Sequence, residues 1–345
     1  MKEKALKSIA SCVLPSFSIT STLPVRAAWC GALGVLLACS HALAQPEDSY
    51  PSKPITIVVG YPAGGSTDLT GRVLGLELSK KLGVPVVIDN VGGAGGAIGA
   101  QKVANAAADG YTLLVGASNE IAISRLVSSA VKYSVKDFTP IGLIATQPMV
   151  LVASQKSGVK TVEQFLRQVS QNPGKYSYGS SGVGTALHLA GEMVKDQGGL
   201  FMTHIPYRGV APLANDLLGN NIDFGVFVMS SGLPHIRSGK VVALGTTEAR
   251  RSPLTADIPA LAETPKLKGI DINIWFALMG PARMPEPVVA KLKKALNDSL
   301  QTIELRKKLE DSGSTVSPLN VDMPAFIKQE TAKYQRIVDF AKIKE

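Results

Sequence analysis

Cysteine is nearly absent. The 345-residue chain has three, Cys12, Cys30 and Cys39, and all stand in its first 44 residues. If that stretch is removed on export, no thiol remains. Cysteine nucleophiles, disulfides and thiolate metal sites are then excluded together. Histidine is scarce as well, with four in the chain. No H-x-x-x-H spacing or carboxylate cluster accompanies them, so neither a metal nor a cofactor is expected. Charged residues make up only 18%. Lys and Arg outnumber Asp and Glu by 36 to 27, but they form no basic run interleaved with aromatics, so nothing points to nucleic acid. G-x-G-x-x-G is missing in every register, and Tyr-x-x-x-Lys occurs nowhere. Nicotinamide chemistry is therefore not indicated. Beyond the N-terminal region no run is long and apolar enough to span a bilayer.

What is present is a globular composition, 45% apolar, in a length that suits two domains or one large one. Residues 1–44 read as an export signal. Lys2, Lys4, Lys7 and Arg26 precede the apolar stretch from Ala27 to Ala44, which ends in Ala42-Leu43-Ala44, an A-x-A site. Cleavage is expected after Ala44. Leu36-Leu37-Ala38-Cys39 offers a rival lipidation site at Cys39, with Leu a poor fit at its second position. The remaining 301 residues would carry a formal charge of +6, because four Lys/Arg leave with Glu3.

Short β-branched runs then alternate with helical patterns. Residues 55–59, 84–88 and 111–115 read as strands, with helices over 67–81, where Leu69, Val73, Leu76 and Leu78 nearly fit a 3.6-residue period, and 92–108 between them. The near-continuous apolar strands predict a parallel sheet covered on both faces. A second series starts with strand 149–153 and continues through 176–178, 204–207, 223–229 and 241–245. A strand at 272–279 and helices near 287–303 and 323–340 follow. Two α/β halves with more than one crossing between them place the default ligand site in the intervening cleft.

Four segments could carry chemistry. Tyr61-Pro62-Ala63-Gly64-Gly65-Ser66-Thr67-Asp68 joins a strand to a helix. Its glycines allow close backbone approach, and the helix start leaves about four N–H groups without helical partners. Together they make an anion cradle. The bland alternative is an ordinary cap made by Ser66, Thr67 or Asp68. Asp68 fits a cap or orienter, since its charge would repel an anion. The glycine turn Gly92-Gly93-Ala94-Gly95-Gly96 is expected to pack beside this loop. Gly179-Ser180-Ser181-Gly182-Val183-Gly184-Thr185 repeats the strand-to-helix pattern, and Val183 breaks the G-x-S-x-G elbow. His188 lies on the following helix, where a Ser181–His188 pair would make a hydrolase the rival class. His204 is expected in a strand and His235 in a turn. Tyr207-Arg208-Gly209 could wall a pocket and pair with a carboxylate, or leave Arg208 merely solvated. Ser118 and Asn119, after the third strand, complete the candidate set.

These segments, in this order, resemble the receptors of tripartite tricarboxylate transporters, the Bug family of extracytoplasmic solute-binding proteins. The resemblance rests also on Tyr50-Pro51-Ser52-Lys53-Pro54-Ile55, Asp109-Gly110-Tyr111-Thr112-Leu113-Leu114 and Trp275-Phe276-Ala277-Leu278 before Gly280-Pro281-Ala282. It implies a two-lobed α/β periplasmic binding protein of the type II, Venus-flytrap kind, with a mixed β-sheet in each lobe. Domain 1 would be residues 45–150 plus 270–345, and domain 2 residues 151–269. The implied ligand is a mono-, di- or tricarboxylate held between the 61–68 loop and the 179–185 and 207–209 segments. The implied partner is a two-subunit membrane permease, served by a periplasmic monomer, or else a membrane sensor.

Overall fold

Apolar runs without polar alternation need cover on both faces, and this chain supplies it with helices between the strands. The structure, a computed structural model, describes residues 50–343. The expected cleavage site after Ala44 and the rival Cys39 lie outside the described residues. Ten strands form in chain order: β1 (Ile55–Val59), β2 (Val86–Asn90), β3 (Thr112–Ala117), β4 (Phe138–Ser154), β5 (Ser177–Ser180), β6 (Thr203–Pro206), β7 (Phe224–Val228), β8 (Val241–Thr246), β9 (Asn273–Pro281) and β10 (Thr315–Val316).

The strands run in the order β2-β1-β3-β9-β4-β7-β5-β6, with β10 and β8 also paired to β4. β1 is parallel to β2 and β3, while β9 lies antiparallel to β3. The 17-residue β4 organises everything after this. Its first part, from Phe138 to Pro148, pairs with β9. Its second part pairs with β7 and β8. One strand thus belongs to two mixed sheets, and β5, β6 and β7 build the second sheet in parallel. The two α/β halves expected above are joined by a continuous strand.

Two of the elements that differ from the sequence reading show why it misses. Only the second part of β4 was expected, because Pro140, Gly142 and Pro148 interrupt its first part. Each proline removes a ladder donor, and the pairing shifts register between Pro140 and Gly142. The helix Ser66–Leu82 buries Val73 and Leu78 as its period predicts, but Leu69 and Leu76 are exposed. Its sheet-facing stripe carries Gly71 and Gly75 instead. A Cβ at Gly71 would stand 3.0 Å from Val59 Cγ2, and one at Gly75 would stand 3.2 Å from Ile88 Cδ1. The missing side chains let this helix lie close on its sheet beside the buried Leu74 and Leu78. No helix of the described residues is long and apolar enough to cross a membrane.

The end of β1 meets the glycine turn by direct backbone contact. A Cβ at Gly60 would lie 2.7 Å from the Gly96 carbonyl oxygen, and one at Gly99 would lie 2.8 Å from Gly60 Cα. Overpacking a tight contact typically costs about 1–3 kcal/mol. Gly60→Ala should therefore lower the free energy of unfolding by about that amount, read by urea denaturation. An unchanged midpoint would remove the backbone contact from the description.

Candidate functional site

The helix Ser66–Leu82 begins with Gly65 as its N-cap, and no side chain caps it. Asp68 is positioned to do so but is otherwise engaged. Its Oδ2 accepts the Gly64 N–H at 2.9 Å and Arg72 Nε at 3.0 Å, and its Oδ1 accepts Asn90 Nδ2 at 2.9 Å. Asn90 also donates to the Tyr61 carbonyl at 3.0 Å. Burial works against the charge on Asp68, yet the bonds from Arg72, Gly64 and Asn90 outweigh it and hold the carboxyl below its ordinary value. Asp68 thus orients the loop, and the Ser66 and Thr67 N–H groups find no partner among the described residues. An uncapped helix start with partial positive charge is the physical requirement for an anion cradle.

Beside the cradle, Tyr61 closes a buried network. Its hydroxyl lies 2.8 Å from both the Gly95 carbonyl and Glu120 Oε2, and Asn119 Nδ2 donates to it at 2.9 Å. One phenolic hydrogen cannot serve two acceptors. A protonated Glu120 resolves the count by donating to Tyr61, which then donates to Gly95. Glu120 is only 1% exposed, and burial pushes its carboxyl up to about 7. Its Oε1 accepts the Ala117 N–H. Sequence reasoning missed Glu120, since a single carboxylate after a strand carries no pattern.

Across the cleft, the strand-to-helix turn after β5 behaves differently. Thr185 caps the helix Ala186–Gly198 by accepting from the His188 N–H. Asn119 Oδ1 takes the Ala186 N–H at 2.8 Å, and His188 Nδ1 takes the Gly184 N–H at 3.0 Å. This helix start, expected as the cradle's counterpart, is closed. The Ser181–His188 pair is not formed either, because Ser181 Oγ donates to Thr185 Oγ1 and the His188 ring turns inward. There it stacks on His204 at 3.9 Å between ring centroids. Burial lowers His188 to about 4 and His204 to about 3, so both rings are neutral near pH 7.

The two sheets enclose a cleft with two adjoining chambers, of about 450 Å³ and about 830 Å³. Tyr61, Asn119, Ser181, Arg208 and Gly209 border both. Ala63, Gly64, Gly65 and Ser66 line the smaller chamber. Gly182, Thr185 and Tyr207 line the larger. The remaining four candidates, Asp68, Ser118, Ser180 and His188, are buried behind the cleft and do not line it. Ser180 faces away from Ser181 by strand alternation, with its Oγ 2.7 Å from His204 Nε2. Arg208 is exposed and forms no ion pair among the described residues.

The smaller chamber also contains residues that sequence reasoning overlooked. Ser230 and Ser231 open the helix Met229–Arg237, which again has no side-chain cap. This start, not that of Ala186–Gly198, stands in the same chamber as the first cradle. Its signal was the direct succession of a strand and two serines, obscured by Pro234 inside the helix. His235, expected in a turn, sits on this helix and lines the chamber.

Glu120 makes the network sensitive to pH. Its folded pKa of about 7 exceeds the ordinary 4.5, so its contribution is full below the ordinary value and is lost as pH rises through about 7. Glu120→Gln keeps the Ala117 and Tyr61 bonds without the titration. The variant should melt higher than the parent above pH 7 and lose that advantage at lower pH. Parallel melting curves across the range would refute a buried, titrating Glu120.

Residues 70–343 match the family described as "Tripartite tricarboxylate transporter family receptor". Protein BugT of Bordetella pertussis is 32% identical over 310 residues, covering 89% of this chain and 95% of BugT. Among solved structures, Rpa4515 of R. palustris with adipate superposes with a TM-score of 0.82 at 30% identity, over 86% of this chain and 99% of that one. MatC of Rhodopseudomonas palustris with bound malate gives 0.78 at 29%, over 84% and 100%. With the matched segment and the relatives both spanning most of its length, the chain belongs to the tripartite tricarboxylate transporter receptor family, as a two-lobed α/β binding protein related to the Bug proteins.

Proposed function

We propose that this protein is a periplasmic receptor that captures a small organic carboxylate in the cleft and delivers it to a two-subunit membrane permease. The observation that supports the reading is a single chamber lined both by the uncapped start of Ser66–Leu82 and by Arg208. The lobes would be residues 45–150 plus 270–345 and residues 151–269, with β4 running between them. A carboxylate bonded to amides of one lobe and to the guanidinium of the other favours the closed arrangement, since only there are both sets of bonds made. The malate and adipate held by the two R. palustris relatives agree with this chemistry.

Magnitudes suit a carrier. Hydrogen bonds to a charged group are worth about 1.5–3 kcal/mol each. A handful of them, less ordering and closure costs, gives about −8 kcal/mol, or roughly micromolar binding. Tighter capture would slow release.

Two substitutions test the two poles separately. Proline is tolerated at the first helical position and removes its N–H. Ser66→Pro should therefore leave the helix folded while deleting one cradle donor and the hydroxyl. Arg208→Gln deletes the charge opposite. Each should weaken carboxylate binding at least about tenfold by isothermal titration, as expected for a charge-assisted bond. Undiminished affinity in both variants would place the ligand elsewhere.

A further inference from the structure

Gln147 lies where β4 passes from the first sheet to the second, beside Pro148, and is 1% exposed. It lines neither chamber. Both hydrogens of its amide are spent on the loop between the helix Ile303–Asp311 and β10. Nε2 donates to the Ser312 carbonyl at 3.0 Å and to Ser314 Oγ at 2.8 Å. Its Oε1 accepts the hydroxyl of Ser230 at 2.9 Å. Ser230 does line the smaller chamber, at the uncapped start of Met229–Arg237.

The direction of this chain is fixed from its far end. A backbone carbonyl only accepts, so the Ser312 oxygen demands the nitrogen of the Gln147 amide. Reversing the amide would set oxygen against oxygen. The loop itself has little freedom. The Gly313 N–H bonds the Glu310 carbonyl at 2.8 Å, and the Ser314 N–H bonds the Leu309 carbonyl at 3.0 Å. Gly313 has a φ of +82° and packs on Met229, where a Cβ would stand 2.5 Å from Met229 Cγ. With the amide nitrogen committed to the loop, its oxygen must face Ser230, and the single hydroxyl hydrogen of Ser230 must point at Gln147. Only lone pairs of Ser230 Oγ are then left, and they accept from no group among the described residues. A free serine hydroxyl at a helix start would instead rotate to donate to an anion.

Resting on the receptor reading above, we infer that Gln147 is a positioning residue for ligand recognition: it holds Ser230 Oγ as an acceptor in the smaller chamber, where Ser230 takes a hydrogen bond from an O–H or N–H of the bound acid. An acid without that donor leaves the Ser230 oxygen unpaired and binds more weakly. The selectivity is thus set by a side chain that never touches the ligand.

Isothermal titration of the purified protein tests this with acids that differ only by a hydroxyl: malate against succinate, citrate against tricarballylate, lactate against propanoate. In at least one pair the hydroxy acid should bind about fivefold more tightly, the worth of one hydrogen bond. Ser230→Ala removes the acceptor, and Gln147→Met frees the Ser230 hydroxyl to donate. Each should bring that ratio to about one, and the double variant should lower it no further, as expected of residues acting through one bond. A variant that is partly unfolded weakens both members of a pair alike, so the ratio reads the hydrogen bond and not stability. Equal or reversed affinities in every pair, or a preference that survives either single variant, would overturn the inference and leave the carboxylate receptor standing. Binding of none of the six acids would overturn the receptor reading and this inference together.

Discussion

The Asp68 carboxylate is the constraint on which the site depends. A carboxylate in the first turn of a helix would ordinarily serve the helix, by capping it or by meeting its partial positive charge. Here it reaches back to the Gly64 amide, sideways to Asn90 at the end of β2, and forward to Arg72. Three consequences follow from those bonds. The loop 61–65 is pinned to the end of β2. Its negative charge is matched by a guanidinium and directed away from the cleft. The first helical amides stay free, because the side chain nearest to them is occupied. The conflict between a carboxylate and an anion cradle is settled by direction rather than by distance along the chain.

The opposite wall obeys a different rule. Three strand-to-helix turns of the second sheet approach the cleft, and the starts of Val210–Leu218 and Met229–Arg237 have no side-chain cap. Thr185 and the side chain of Asn119 close the start of Ala186–Gly198, whereas Met229–Arg237 begins uncapped beside Ser230 and Ser231. Asn119 is therefore more than a lining residue. Its amide donates to Tyr61, on the first-sheet side, and its carbonyl oxygen holds a helix of the second. A side chain with a donor at one end of its amide and an acceptor at the other suits this bridge, and an Asp there would lack the donor.

Much of this was legible in the residues. Glycines between a β-branched run and a helical period point to a backbone cradle, and the uncapped 61–68 loop fits that pattern, whereas the 179–185 turn shows it but is capped. What stayed hidden did so for physical reasons. The first part of β4 contains Pro140 and Pro148, which argue against a strand locally yet are tolerated beside register shifts. The helix Ser66–Leu82 packs through Gly71 and Gly75, so a count of apolar positions picked Leu69 and Leu76, which face outward. Met229–Arg237 announces itself only by two serines. At Ala186–Gly198 the cap Thr185 is local, but the Ala186 amide is taken by Asn119, 67 residues away, and no local pattern holds that second bond.

The division of labour in the cleft follows from what backbone and side chains can distinguish. Free amides at a helix start recognise negative charge and little else, because every carboxylate presents the same two oxygens to them. In the proposed receptor Arg208 would add geometry, since a guanidinium favours planar, paired contact, but it too would read the carboxylate and not what the carboxylate is attached to. Discrimination among acids must then arise where the rest of the molecule lies. That space is lined by Ile98, Val127, Val131 and Val183 together with Gln101, Ser128 and Lys132. Such a surface selects by complementarity: it rejects what would leave polar groups of the ligand unpaired. A protein built this way can keep its helix-start cradle unchanged while its ligand range moves with the few side chains around it.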